Sequence, residues 1–194
     1  KSIALNKNLT DAYNILASCL FFLRIESSLQ HDRELNETRF REVTEKSYSL
    51  DPYNPDSVMN MGLLHRLSND ETKYREFINK SVEINPHHAR SLHAKGMLYL
   101  NECDYDNAID FLNRANESNR KGVPFYETMI YFCYLGKKDW LSANQSVDRS
   151  MRENDHSRYH AFKAVVLAHE GKMEESKEWL KKYQENRPEI KTIK

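Results

Sequence analysis

Glycine and proline are scarce in this 194-residue sequence, which contains five of each. β-Hairpins, glycine-rich phosphate loops and dinucleotide-binding turns need glycine at set positions, so they are disfavoured and helices are favoured. A net charge is also lacking, because 29 Lys and Arg residues balance 29 Asp and Glu residues. Nucleic-acid-binding surfaces are usually basic, so this balance argues against direct nucleic acid binding. No apolar run reaches the about 18 residues of a transmembrane helix, so we expect no membrane insertion.

Cysteines are few, odd in number and far apart: Cys19, Cys103 and Cys133. This spacing contains neither a Cys-x-x-Cys pair nor a disulfide framework. It predicts free thiols in a reducing compartment, and hence a cytoplasmic location. The sequence begins with Lys1 rather than Met, so we expect a fragment of a longer chain.

The few prolines and glycines recur at a fixed interval. Pro52 and Pro86 are as far apart in the sequence as Gly62 and Gly96. The distance from Pro86 to Pro188 is three times this interval. The interval is about 34 residues. Self-similarity with a period of about 20 to 50 residues is the signature of a repeat protein, in which stacked units bury one continuous core.

The residues around these positions resemble the tetratricopeptide repeat, a helix-turn-helix unit of about 34 residues. Two successive units carry most of the pattern, with apolar residues at helical spacing and small residues where two helices meet. The motif residues are Met61, Gly62, His65, Tyr74, Ile78, Ser81 and Pro86 in one unit, and Leu92, Gly96, Tyr99, Ala108, Leu112 and Ala115 in the next, with Arg120 in place of the proline.

The resemblance implies an all-α fold: a right-handed superhelix, or α-solenoid, of about five repeats in a single domain. The predicted repeats span residues 10–54, 55–88, 89–122, 123–156 and 157–190. The first repeat has about eleven residues too many, which we interpret as an inserted loop near residues 25–38. Residues 1–9 are interpreted as the tail of a preceding helix. The step from Gly136 to Ala143 fits the pattern badly and predicts an irregular turn in the fourth repeat.

Ligands of this family lie against the inner, concave surface, which the first helix of each repeat builds. In this family, the ligand contacts come from set positions of each first helix. The residues at the corresponding positions of this sequence predict a partly apolar groove for a peptide or an amphipathic helix. The predicted groove residues are Phe22, Met59, Asn60, Leu63, Arg66, Arg90, His93, Met97, Asn101 and Phe162. Co-chaperones of the family grip a terminal carboxylate at positions that here hold Asn14, Ser18, Asn60, Arg90 and Ala94. Only Asn60 matches that clamp outright, so we do not expect it to form.

No set of catalytic residues converges on one repeat, so we expect no enzyme activity and no cofactor. His156 and His160 have the spacing of two metal ligands on a helix, but no third ligand accompanies them, so we expect no metal site. The sequence therefore predicts a non-catalytic scaffold for a protein or peptide partner, with self-association as a further possibility. Its irregular repeats also resemble the arrays of bacterial transcriptional regulators that carry winged-helix or cyclase domains. The alternative is a stand-alone adaptor, a co-chaperone or a secretion-type chaperone.

Overall fold

A computed structural model describes residues 2–26, 29–119 and 123–187. These residues form ten α-helices and no β-strand. None of the described helices is long and apolar enough to cross a bilayer. The helices are α1 (Ser2–Glu26), α2 (Gln30–Leu50), α3 (Pro55–Leu67), α4 (Glu71–Ile84), α5 (Ala89–Asn101), α6 (Tyr105–Ser118), α7 (Val123–Lys137), α8 (Trp140–Glu153), α9 (Ser157–His169) and α10 (Met173–Glu185).

The chain divides into two compact units, residues 1–95 (unit 1) and 96–194 (unit 2), with the division inside α5. In unit 1, α1 packs against α2 and α3, and α3 packs against α4. In unit 2, α6, α7, α8, α9 and α10 pack each against the next. The single domain expected from the sequence stays a prediction. Arg120 and Pro188, which were predicted to end two repeats, lie outside the described residues.

The first hairpin differs from the prediction. Residues 30–38 belong to α2, so the inserted loop predicted near 25–38 is wrong there, and α1 runs unbroken through residues 2–9 instead of leaving them to an earlier helix. The extra polar residues of the first repeat are helical because their side chains form hydrogen bonds along α2 and between α1 and α2. Gln30 donates to Glu34 at 2.9 Å, and Arg24 of α1 donates to Glu37 of α2 at 2.8 Å. The extra residues therefore lengthen both helices.

The repeat period is most regular in the turns between paired helices. One residue in each turn has a left-handed backbone: Asn69, Cys103, Lys138 and Gly171, with φ between 57° and 80°. The N–H group of the following residue donates to a carbonyl five residues earlier, at 2.9–3.0 Å in all four turns. The turn after α7 has the same geometry as the others, with Lys138 as its left-handed residue. The irregular turn predicted for the fourth repeat is therefore wrong.

Three of these turns are completed by an aspartate that caps the next helix. The side chains of Asp70, Asp104 and Asp139 accept hydrogen bonds from backbone N–H groups three residues later, at 3.1, 3.3 and 3.1 Å. Such a cap satisfies an N–H group that has no partner within its own helix. Each cap also fixes where the second helix of its hairpin begins.

Small residues allow the paired helices to approach closely. Gly96 of α5 lies against α6, and a Cβ atom at this position would be 2.8 Å from Leu112 Cγ. At Gly62, a Cβ atom would be 3.1 Å from Ile78 Cδ1. Leu112 belongs to one core cluster with Ala108, Ile130 and Cys133, all of them buried. The two glycines are thus packing residues, as their spacing suggested.

We expect Gly96→Leu to destabilise the protein by about 1–3 kcal/mol, because the larger side chain would overpack the contact with Leu112. The matched control is Asn113→Leu, which adds a leucine at an exposed position of the helix that Gly96 contacts. Chemical unfolding followed by circular dichroism measures both effects. Equal unfolding free energies for the two variants would contradict close packing at Gly96.

Candidate functional site

A buried polar cluster joins three helices of unit 1. Asn60 Nδ2 donates to Asn14 Oδ1 at 3.1 Å, and Asn14 Nδ2 donates to Ser57 Oγ at 3.1 Å. Ser47 Oγ donates to the same Asn14 oxygen at 2.8 Å. All four side chains are buried. Two residues at the carboxylate-clamp positions, Asn14 and Asn60, are therefore bonded to each other inside the unit.

Arg90 is bonded to neighbouring side chains of unit 1. Its guanidinium pairs with Asp56 and donates to Ser18 Oγ at 2.6 Å. His88 Nε2 lies 3.3 Å from the other Asp56 oxygen. Burial alone would raise the pKa of Asp56, but the hydrogen bond from His88 and the charge of Arg90 outweigh it and lower that pKa. The positive charge predicted for the groove is thus compensated by a carboxylate.

His93 is neutral in the folded protein at neutral pH. Burial, together with the positive charges of Arg90 and Arg66, lowers the pKa of this imidazole to about 4. Burial lowers this pKa because the charged imidazolium loses its hydration, and the two arginines lower it because like charges repel. His93 therefore adds no charge to this part of unit 1.

The other residues predicted for the groove have different environments in unit 1. Met59 and Asn60 are buried, so the surface role predicted for them is wrong. Leu63 is partly buried against the cluster of Ala17, Leu20, Phe40 and Leu64. Arg66 lies over the Tyr74 ring, 5.5 Å from its centroid. Phe22 is exposed on α1. At these positions, unit 1 thus has polar side chains that are bonded within the unit at Asn60 and Arg90, and an exposed apolar side chain at Phe22.

Unit 2 presents an aromatic cluster instead, centred on Phe162 of α9. The Phe162 ring stacks on Tyr131 at a centroid distance of 4.7 Å and meets Phe132 edge-on at 5.6 Å. Tyr159 completes the cluster, with its ring 6.0 Å from Phe162. Tyr131 and Tyr159 are buried, whereas Phe132 is exposed. The cluster is therefore anchored in the core and open on one side.

Two further exposed apolar side chains lie on the same two helices as Phe132 and Phe162. Phe125 and Val165 are each 45% exposed. Phe125 precedes Phe132 by seven residues on α7, and Val165 follows Phe162 by three on α9, so each pair shares one side of its helix. We call Phe125, Phe132, Phe162 and Val165 the aromatic face. Of these four, only Phe162 was among the predicted groove residues; Met97 and Asn101 are partly buried and exposed, respectively, on α5.

Sequence analysis missed Phe125 and Phe132 because both lie in the fourth repeat, which fits the family pattern badly, so no groove residue was predicted there. The seven-residue spacing of the two phenylalanines was the available signal, since it places both on one side of a helix.

The two histidines at metal-ligand spacing have structural contacts. His156 caps α9 by accepting a hydrogen bond from the Arg158 N–H group at 3.2 Å. His160 Nε2 lies 2.7 Å from Asp155 Oδ1. Throughout the part of the chain that the structure describes, no group of three or more His, Cys, Asp and Glu side chains could hold a metal ion.

We expect the low pKa of His93 to make stability depend on pH. The unfolded imidazole has a pKa near 6.5, so between about pH 6.5 and 4 the unfolded state binds more protons than the folded state. Stability should fall as the pH is lowered through this window. From pH 7 to pH 5, the wild type should lose about 1–2 kcal/mol more than His93→Gln, measured by urea unfolding. The same loss in both proteins would contradict a depressed His93 pKa.

Comparison with known proteins agrees with the repeat pattern. The sequence model of the tetratricopeptide repeat matches residues 89–121. No curated protein matches the chain in sequence. Among solved structures, the chain is similar to PilF of Pseudomonas aeruginosa, with a TM-score of 0.77 and 15% identity, over 93% of this chain and 77% of that one.

The structure is also similar to MamA, with a TM-score of 0.68 and 15% identity, over 86% of this chain and 99% of that one. For MamA 41-end from Desulfovibrio magneticus RS-1 the TM-score is 0.68 at 12% identity, over 96% and 98% of the two chains. PilF and MamA are tetratricopeptide-repeat proteins, and the shared fold confirms the predicted all-α solenoid class. Residues 89–121 thus match one tetratricopeptide repeat in sequence, and the fold of two tetratricopeptide-repeat proteins is shared along most of the chain.

Proposed function

We propose that this protein is a non-catalytic scaffold that binds a peptide or a helix on the aromatic face of unit 2. Its repeat fold supports a role in protein–protein interaction in general. The observation that carries the finer proposal is the exposure of Phe125, Phe132 and Val165 beside Phe162. Contiguous apolar patches on the surface of a protein mark interaction sites, and aromatic residues are enriched at their centres.

The residues in and around the aromatic face indicate which side chains a partner segment would present to it. A large apolar side chain would bury surface against Phe132 and Phe162, and rings favour edge-on or offset contacts with other rings. Arg158 is exposed one turn before Phe162 on the same helix. Its guanidinium favours an acidic residue next to the apolar one in the partner. The proposed partner is therefore a segment with an aromatic or long aliphatic residue beside Asp or Glu.

Several expectations from the sequence stay predictions. A role within a transcriptional regulator, the alternative of a stand-alone adaptor or chaperone, and the cytoplasmic location rest on sequence resemblance and on the cysteine spacing. The three cysteines are free thiols, with Cys19 and Cys103 exposed and Cys133 buried.

Selection from a random-peptide display library tests the proposed function. We expect the selected peptides to share a large apolar residue beside an acidic one. Val165→Glu should weaken their binding by about tenfold or more, because it places a charge within the aromatic face. Fluorescence anisotropy of a labelled selected peptide measures this affinity.

The matched control is Leu180→Glu, since Leu180 is 44% exposed on α10 and lies outside the aromatic face. It should leave the peptide affinity unchanged. Phe132→Ala should weaken binding without adding a charge. Equal affinities for Val165→Glu, Phe132→Ala and wild type would show that the peptides bind elsewhere and would overturn the proposed site.

A further inference from the structure

The first helix of unit 1 has one side buried in the core. Ala17 and Leu20 of α1 pack against Phe40 of α2 and Leu64 of α3. On the same half of the helix, Ser18 accepts a hydrogen bond from Arg90. These contacts fix the orientation of α1, because successive residues of a helix are about 100° apart.

The opposite side of α1 is apolar and exposed. Ile15, Phe22 and Leu23 are 66%, 54% and 56% exposed. No charged residue occurs between Asp11 and Arg24. We call this side the open face of α1; its residues are Leu9, Ala12, Ile15, Leu16, Cys19, Phe22 and Leu23, all of them exposed.

The open face repeats every seven residues. Leu9, Leu16 and Leu23 form one row, with Ala12 and Cys19 in a second row and Ile15 and Phe22 in a third. A seven-residue apolar repeat is the pattern of helices that pack lengthwise against another helix. The small residues in the middle row would let a partner helix approach closely. The shape of the face therefore suits a helix better than an irregular segment.

Part of the face is complementary to itself. Residues 15–23 of the open face are centred on Cys19, with apolar residues at equal distances on both sides, whereas Leu9 and Ala12 lie outside this part. In an antiparallel pair centred on Cys19, Ile15 of one helix meets Leu23 of the other, and Leu16 meets Phe22. A two-fold interface requires this property, since each copy contributes the same surface. The absence of charge between Asp11 and Arg24 means that pairing brings no like charges together.

The exposed area is close to what such a pair needs. The exposed fractions of the side chains between residues 15 and 23 of the face correspond to roughly 450 Å² of apolar surface per copy. Two copies would then bury about 900 Å², near the lower limit for a specific interface. We propose that two copies of this chain associate through the open face of α1, with the two Cys19 residues adjacent at the centre. This proposal is independent of the peptide site proposed in unit 2.

Sedimentation equilibrium of the 194-residue chain over a range of concentrations tests the association. We expect a reversible dimer. Ile15→Glu should raise the dimer dissociation constant by about tenfold or more, because it buries a charge in an apolar contact. The matched control is Leu141→Glu in unit 2, since Leu141 is also 66% exposed. Thermal unfolding of each variant shows whether the folded monomer is retained.

Oxidation with diamide tests the position of the contact. Diamide removes two electrons and two protons from a pair of thiols, which become a disulfide. The Cys103→Ser variant, whose remaining exposed thiol is Cys19, should form a covalent dimer rapidly. The Cys19→Ser variant keeps the exposed thiol of Cys103 and should form one far more slowly.

Three results would overturn the proposal. One is a monomer at every concentration, which would leave the open face to a different partner. Another is an equal effect of Ile15→Glu and Leu141→Glu on dimerisation. The third is cross-linking through Cys103 as fast as through Cys19, which would indicate random collision. The peptide affinity of unit 2 is measured separately, so failure here would leave the proposed function standing.

Discussion

The fold depends on a sharp chain reversal that is repeated once in every helical hairpin after the first. A single left-handed residue turns the chain, and the next N–H group bonds back to the end of the first helix at nearly the same distance in all four turns that follow α3, α5, α7 and α9. This conformation costs an L-residue about 1–2 kcal/mol and costs glycine much less. Gly171 avoids that cost, and Asn69 bears less of it because asparagine adopts this conformation more readily than most residues. Packing of the paired helices must offset the cost for Cys103 and Lys138.

This turn geometry explains why the contacts between paired helices and the side chains on the first helices both follow the repeat period. Because each reversal is short, the paired helices start close to each other and must have small residues where they meet. Gly62 and Gly96 meet that need, and there is little room for a Cβ atom at Gly96. The same reversal fixes the rotation of each first helix. It thereby determines that Phe132 and Phe162 meet in unit 2 and that Arg90 meets Asp56 in unit 1.

The period was predictable, whereas the details that depend on tertiary contacts were not. Spaced prolines and glycines reveal the repeat period without any structure. They do not reveal that Lys138 takes the left-handed position, because lysine is not a typical turn residue. The polar segment 30–38 was interpreted as a loop, yet contacts such as Arg24 with Glu37 make it helical. Family positions likewise placed Met59 on a surface, and neighbouring helices bury it.

The polar groove positions of unit 1 and the aromatic face of unit 2 offer a partner different chemistry, although both units are built from the same kind of hairpin. In unit 1, two polar side chains at the predicted groove positions are bonded to neighbours inside the unit: Arg90 to Asp56 and Asn60 to Asn14. Such groups have already exchanged water for protein partners, so a ligand would have to break those bonds to use them. In unit 2, the exposed rings are bound to no polar group, and a partner could remove them from water at a gain of about 25 cal/mol per Å². That contrast, more than the presence of a repeat fold, is the physical reason for placing the peptide site on unit 2 rather than at the polar groove positions of unit 1.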